Sequence, residues 1–162
     1  MGAVLRASGP EFEVAPFVEG CHWHINRIYR KGDARRPWKS LDERRESESG
    51  LVVAVSDADF HEFERQLDDA VAFLVQEGAE VQRLVAFPGV AGVELDFGIA
   101  WQETFTQTDH LPARLVRLAG DCGIALTLSH YPIADAATTR ANEEVSHAHP
   151  TKTLAAEAPR EV

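Results

Sequence analysis

The chain has 162 residues, of which 44% are hydrophobic and 26% are charged, and its formal net charge is −10 at pH 7. This composition is typical of one globular domain, and no apolar run approaches the roughly 18 residues of a membrane-spanning helix. The negative charge argues against general binding to nucleic acid or to anionic membranes, because both need clustered cations.

The first part of the chain is predicted to contain two strands and a long loop. Residues 1–10 are expected to be loose. Two strand-like runs follow at Phe12–Val14 and His22–Tyr29, and in the second run apolar and polar side chains alternate with the period of a half-buried strand. Residues 30–50 are charged and interrupted by glycine and proline, a pattern typical of a surface loop.

The central part of the chain predicts a strand followed by a helix. Leu51–Val55 is a short apolar run that is rich in β-branched residues, which indicates a buried strand. A helix from about Ala58 to Gln76 is expected to end at Gly78, and residues 80–87 fit either a helix or a strand. The apolar residues of the predicted helix recur at spacings of three and four: Phe60, Phe63, Leu67, Ala70, Val71 and Leu74.

The last elements are a strand, a helix, a second strand and a tail. Val93–Ile99 alternates as an amphipathic strand. Pro112 suits the first turn of a helix, and Gly123 lies beyond that helix and before a strand that runs from Ile124 to Tyr131. Residues 133–162 have few large apolar side chains, so we expect a disordered tail. The apolar side of the helix consists of Leu111, Leu115, Val116, Leu118 and Ala119.

This order of elements predicts an α+β fold in one domain, residues 11–132. Two helices pack on one face of a four- to five-stranded mixed or antiparallel sheet, which makes a two-layer sandwich. Residues 51–100 and 93–131 could each form a βαβ unit with a right-handed crossover.

Two histidines are a candidate metal site. His22 and His24 are two residues apart, and on a strand such side chains point the same way. Zinc accepts imidazole, but a zinc site needs three or four ligands and the spacing nominates no further one. The interpretation that we favour is two polar residues on the exposed face of an edge strand.

A basic segment is the second candidate site. Residues 27–45 contain eight basic and three acidic residues, whereas the rest of the chain contains eight basic and 23 acidic residues. Arginine side chains match phosphate groups, and an indole can stack on a base or ring. The alternative is a solvated loop whose cations pair with acids of this chain. The candidate ligand-binding residues are Arg30, Lys31, Arg35, Arg36 and Trp38.

Other side chains suited to chemistry are isolated from one another. Cys122 ends a predicted helix, where the helix dipole disfavours a thiolate. Ser129 and His130 are neighbours on a predicted strand, so they point to opposite faces and cannot form a dyad. Glu94 and Asp96 share one strand face, which suits acid–base or metal chemistry and also a plain polar row.

Several features occur in an order that resembles a bacterial domain family of unknown function. The resemblance covers roughly Glu11–Pro132 and departs from the family at Leu51, where a tryptophan is expected. It implies a small α/β-type domain and supplies no activity, so no catalytic residue is carried over. The matching features are Arg30–Asp33, the predicted helix from Phe60 to Leu74, Leu111–Pro112, Gly123 and Tyr131.

The leading functional hypothesis is a non-enzymatic module that binds and regulates or neutralises a partner protein. An acidic surface favours a basic partner. Two cysteines and no export signal favour the bacterial cytoplasm, no cofactor is expected, and a homodimer through an edge strand is possible. The alternative is a protein or enzyme that binds a phosphate or nucleotide ligand through residues 30–39, with a metal at His22 and His24 as a variant.

Overall fold

The computed structural model describes residues 2–34, 45–101 and 105–132, and they form one five-stranded sheet with three helices. The predicted tail, residues 133–162, lies outside the described residues. None of the described helices is long and apolar enough to cross a membrane. The strands are β1 (Ala3–Gly9), β2 (Ile25–Tyr29), β3 (Ser49–Ser56), β4 (Gly92–Trp101) and β5 (Ala125–Pro132). The helices are α1 (Val14–Glu19), α2 (Phe63–Val85) and α3 (Ala113–Cys122).

The sheet is mixed, with the strand order β2-β3-β1-β4-β5. The first three pairs in this order are antiparallel, and β4 and β5 are parallel. The long helices bury their apolar stripes against one face of the sheet, in a core that includes Leu5, Leu95, Leu67 and Leu115. The predicted α+β fold, with two helices on one face of a mixed sheet, is therefore confirmed. The predicted βαβ unit at residues 93–131 is also present, because β4 and β5 are parallel neighbours joined by α3. In the other predicted unit, residues 51–100, the strands β3 and β4 are not neighbours, because β1 lies between them.

The prediction of a loose N-terminus is wrong, because Ala3–Gly9 forms the central strand of the sheet. This strand, β1, is hydrogen-bonded on both sides, and Leu5 lies opposite Val53 of β3 and Leu95 of β4. Leu5 is completely buried. The three residues that face the core, Ala3, Leu5 and Ala7, are small or apolar. They suffice for a central strand because β3 and β4 supply backbone hydrogen-bond partners along both of its edges.

The predicted strand at Phe12–Val14 is also wrong, because Val14 begins the short helix α1. Phe12 and Phe17 are buried and pack edge-on against Phe87, with ring centroids 5.9 and 5.3 Å from it. This aromatic packing attaches the helix to the turn that follows α2.

Helix α2 begins later and ends later than predicted. It starts at Phe63 and continues through Gly78 to Val85, so Gly78 does not end it and residues 80–85 are helical. Val81 and Leu84 are completely buried and extend the apolar stripe by two turns. Their burial outweighs the cost of about 1 kcal/mol for a glycine inside a helix.

Helix α3 matches the prediction at its end and departs from it on one face. Gly123 has φ of 73°, the left-handed conformation of a C-terminal cap, as predicted. Pro112 occupies the N-cap position just before the helix, rather than its first turn. Val116 was expected on the apolar side, but 49% of it is exposed.

Strands β2 and β3 form a hairpin, and the predicted surface loop connects them. The ends of this loop are paired, because Ala34 bridges Arg45 and the amide of Gly32 donates to the carbonyl of Glu46 at 2.8 Å. Residues 35–44 lie outside the described residues. Ser49 and Gly50, which were assigned to the loop, belong to β3.

Candidate functional site

One face of the sheet is not covered by any described helix, and it carries a network of polar side chains. We call it the polar face. Because side chains alternate along a strand, even-numbered residues of β1 and β4 lie here, beside odd-numbered residues of β5. Arg27 and Tyr29 of β2 lie here too, opposite Val52 and Gly50 of β3. Its polar and aromatic side chains are Arg6, Ser8, Arg27, Tyr29, Glu94, Asp96, Thr127, Ser129 and Tyr131.

Asp96 is the centre of a network that crosses three strands. It is only 7% exposed, yet it accepts hydrogen bonds from Arg6 Nε at 3.1 Å and from Ser129 Oγ at 2.7 Å. A second guanidinium nitrogen of Arg6 lies 3.0 Å from the same carboxylate. A buried carboxylate is costly unless it is paired and hydrogen-bonded, and here both conditions are met. Asp96 therefore fixes the position of Arg6 on the polar face.

Two further carboxylates are held by hydroxyl groups. Thr127 donates to Glu94 Oε2 and Ser8 donates to Glu48 Oε2, each at 2.7 Å. Glu94 and Asp96 thus share a face, as predicted. Each of the two is bonded to a hydroxyl of β5, so they form part of a structural polar network.

A groove of about 290 Å³ runs across the polar face between Tyr29 and Glu94, with Arg6 and Ser8 also lining it. Tyr29 lies over Gly50, where any Cβ would collide with its hydroxyl group. The guanidinium carbon of Arg27 is 5.3 Å from the centre of the Tyr29 ring. Burial, followed by the nearby Glu46 carboxylate, raises the pKa of Tyr29 above its ordinary value, so this hydroxyl stays a neutral donor.

The other end of the polar face is aromatic. Phe60 was predicted on the apolar face of α2, but it precedes that helix and stacks on Tyr131, with ring centroids 4.8 Å apart and planes 11° apart. Its ring covers Gly98, where a Cβ would lie 2.6 Å from it. The buried amide of Gln66 donates to Gly98 at 2.7 Å and to Asp59 at 2.9 Å, which ties the Phe60 segment to β4.

The two histidines predicted as metal ligands are not brought together with a third ligand. Both precede β2, which begins at Ile25, so they do not share a strand face. His22 donates from Nε2 to Glu77 Oε2 at 2.8 Å, and Trp23 Nε1 donates to the same oxygen at 3.0 Å. His24 is exposed, and no group of three potential metal ligands occurs among residues 2–34, 45–101 and 105–132.

We expect the contribution of Glu77 to stability to depend on pH. The hydrogen bond from Trp23, and then that from His22, lowers the pKa of Glu77 from its ordinary value of 4.5. A lowered pKa in the folded state stabilises the protein above pH 4.5, and this contribution is lost as the pH falls through the folded-state pKa. Glu77→Gln is therefore expected to destabilise the chain at pH 6 and to match the wild type more closely near pH 3. Urea unfolding across this range measures the difference, and a pH-independent gap would contradict the expectation.

Only part of the predicted ligand-binding segment can be placed. Arg30 and Lys31 are exposed, and their backbone amides donate to Asp33 Oδ2 at 2.9 Å and to Ser49 Oγ at 3.1 Å. Gly32 turns the chain with φ of 88°. The other predicted residues of this site, Arg35, Arg36 and Trp38, lie outside the described residues.

The candidate nucleophiles are separated as predicted. Ser129 bonds to Asp96 on the polar face, whereas His130 Nε2 donates to Asp109 at 2.8 Å on the other side of the sheet. Cys122 is buried, and burial raises the pKa of its thiol. Ser129 and His130 therefore form no dyad, and burial disfavours a thiolate at Cys122.

Sequence reasoning missed the polar face on β1. The signal was present, because Arg6 and Ser8 alternate with Leu5 and Ala7 in the period of a strand. Glu48 was missed because it was assigned to a loop. Comparison with protein-family models, with curated proteins and with solved structures finds no match to this chain, so the resemblance to a bacterial domain family stays a prediction.

Proposed function

We propose that this chain is a non-enzymatic interaction module of the bacterial cytoplasm that binds a basic partner protein and regulates or neutralises it. The observation that carries this proposal is an acidic corner, residues 57–69, between β3 and the first turns of α2. It contains six carboxylates and one arginine. Self-association through an edge strand, β2 or β5, stays a prediction.

The acidic corner is suited to long-range attraction. Arg65 pairs with Asp57 at 2.7 Å and approaches Glu62 at 3.6 Å, which neutralises part of the charge. Glu64 and Asp68 are exposed and have no ion-pair partner in the described part of the chain. A surface with excess charge raises the association rate with an oppositely charged protein, and salt reduces this effect.

A capture experiment tests this function. We expect the full chain, immobilised and incubated with a lysate of the native host, to retain a basic protein at low salt and to release it as salt rises. With that protein purified, Glu64→Gln combined with Asp68→Asn should slow association by up to about twofold at low salt while the dissociation rate changes little. Recovery of no salt-sensitive partner would count against the proposal.

A phosphate- or nucleotide-binding role is the second candidate, because Arg30 and Lys31 expose adjacent cations beside the turn at Gly32. Thermal unfolding in the presence of nucleotides and sugar phosphates tests it. Stabilisation that disappears when Arg30 and Lys31 are both replaced by alanine would favour this role over the interaction module. Zinc analysis of the purified chain tests the variant with a metal at His22 and His24.

A further inference from the structure

The polar face is a broad part of the sheet to which no function has yet been assigned. Resting on the proposed function, we propose that it is the docking surface for the basic partner and that its groove receives an arginine or lysine side chain of that partner. The acidic corner then accelerates the encounter, and the polar face supplies the specific contacts.

The charges of the polar face carry this inference. Arg6 pairs with Asp96, and Arg27 pairs with Glu46 at 2.9 Å. Glu48 and Glu94 receive only neutral hydroxyl donors, and neither has an ion-pair partner within the described ranges. Among the described residues, these two carboxylates therefore form no salt bridge. A cationic side chain of the partner is the complement of that arrangement.

The groove is large enough to accommodate a single long side chain. Its volume of about 290 Å³ lies at the lower limit of pockets that bind drug-sized molecules. Glu94 lines the groove and can accept from a cation, whereas Ser8 and Tyr29 offer hydroxyl groups. Arg6 also lines it, but the charge of this guanidinium is paired with Asp96. Gly92 and Ala125 also line the groove, and they bring almost no side-chain bulk to block an approaching partner.

Glu48 and Glu94 are better preorganised than Glu64 and Asp68, the two unpaired carboxylates of the acidic corner. Ser8 and Thr127 belong to strands β1 and β5 and hold Glu48 and Glu94 in place before a partner arrives. Groups fixed on strands lose little conformational entropy on binding. At the opposite end of the face, Tyr131 is 42% exposed and offers an aromatic contact of the kind that is enriched at interfaces.

A hexa-arginine peptide is a defined probe for this surface. We expect titration into the full chain at low salt to shift the backbone amide NMR signals of Arg6, Glu94 and Thr127 more than those of residues 57–69. Replacing both Glu48 and Glu94 by glutamine should weaken the calorimetric Kd about fivefold. Glutamine can still accept from Ser8 and Thr127, so the fold is retained, which unfolding curves verify. A hexa-glutamate peptide should not bind.

The control variant is Glu64→Gln with Asp68→Asn, which changes the net charge by the same amount at the acidic corner. We expect it to weaken the Kd less than about twofold. Equal weakening by the two variants, or amide shifts confined to residues 57–69, would overturn the proposal that the polar face is the docking surface. The proposal that the chain binds a basic partner would then still stand. Failure of the wild-type chain to bind hexa-arginine would count against both proposals.

Discussion

Phe97→Ala is expected to lower the free energy of unfolding by about 4 kcal/mol, the largest loss that we anticipate for a single substitution. Phe97 lies on β4, is completely buried, and meets the ring of Phe63 edge-on at a centroid distance of 5.9 Å. Alanine would remove the whole ring from the layer between the sheet and α2. The surrounding elements can close such a cavity only partly, so both burial and packing are lost.

Phe105→Ala is the matched control, because it makes the same chemical change at a fully exposed position. We expect its effect on the free energy of unfolding to stay within about 0.5 kcal/mol. Urea denaturation monitored by circular dichroism measures both variants, with the slope of the transition as a check on two-state unfolding. A loss below about 1.5 kcal/mol for Phe97→Ala would mean that β4 and α2 do not enclose this ring.

The second large effect is expected at Gly89, in the turn between α2 and β4. Gly89 has φ of +82°, and a Cβ there would overlap the backbone carbonyl of Glu11. An alanine in the left-handed region costs about 1–2 kcal/mol, and overlap with a backbone group adds a similar amount. We therefore expect Gly89→Ala to lower the free energy of unfolding by about 3 kcal/mol.

Gly120→Ala is the control, because the same replacement of glycine by alanine is expected to stabilise the chain at this position. Gly120 is an exposed residue of α3, and a Cβ there would meet no atom within 4 Å. We expect a gain of about 0.5–1 kcal/mol, because alanine restricts the unfolded chain and favours the helix. Thermal and urea unfolding compare the two variants. A neutral Gly89→Ala would show that the turn does not approach Glu11.

Local patterns were sufficient where an element's own side chains decide its structure. The apolar run Leu51–Val55, the alternation at Val93–Ile99 and the glycine after α3 predicted β3, β4 and the end of α3. Each of these predictions depends on residues that are close together in the chain. The start of β5, just after Gly123, was predicted for the same reason. The charge asymmetry of residues 27–45 is likewise a property of the sequence.

Local patterns failed where the structure of an element depends on residues that are distant in the sequence. Ala3–Gly9 alternates in the period of a strand, but it has too few large side chains to indicate a central position, which it takes because β3 and β4 bond to both of its edges. Helix α2 passes through Gly78 because the core accepts Val81 and Leu84 one and two turns beyond it. Phe60 fits the helical period but leaves it to cover Gly98.

The sequence by itself determined the class of fold, two apolar helices over an alternating sheet, because burial of a periodic apolar face leaves few other solutions. Which side chains meet on the polar face was decided only by the tertiary structure. Arg6 and Asp96 are 90 residues apart, and their pairing follows from the order of strands β1, β4 and β5. Strand order is set by which edges meet across the whole chain, and no local period encodes it.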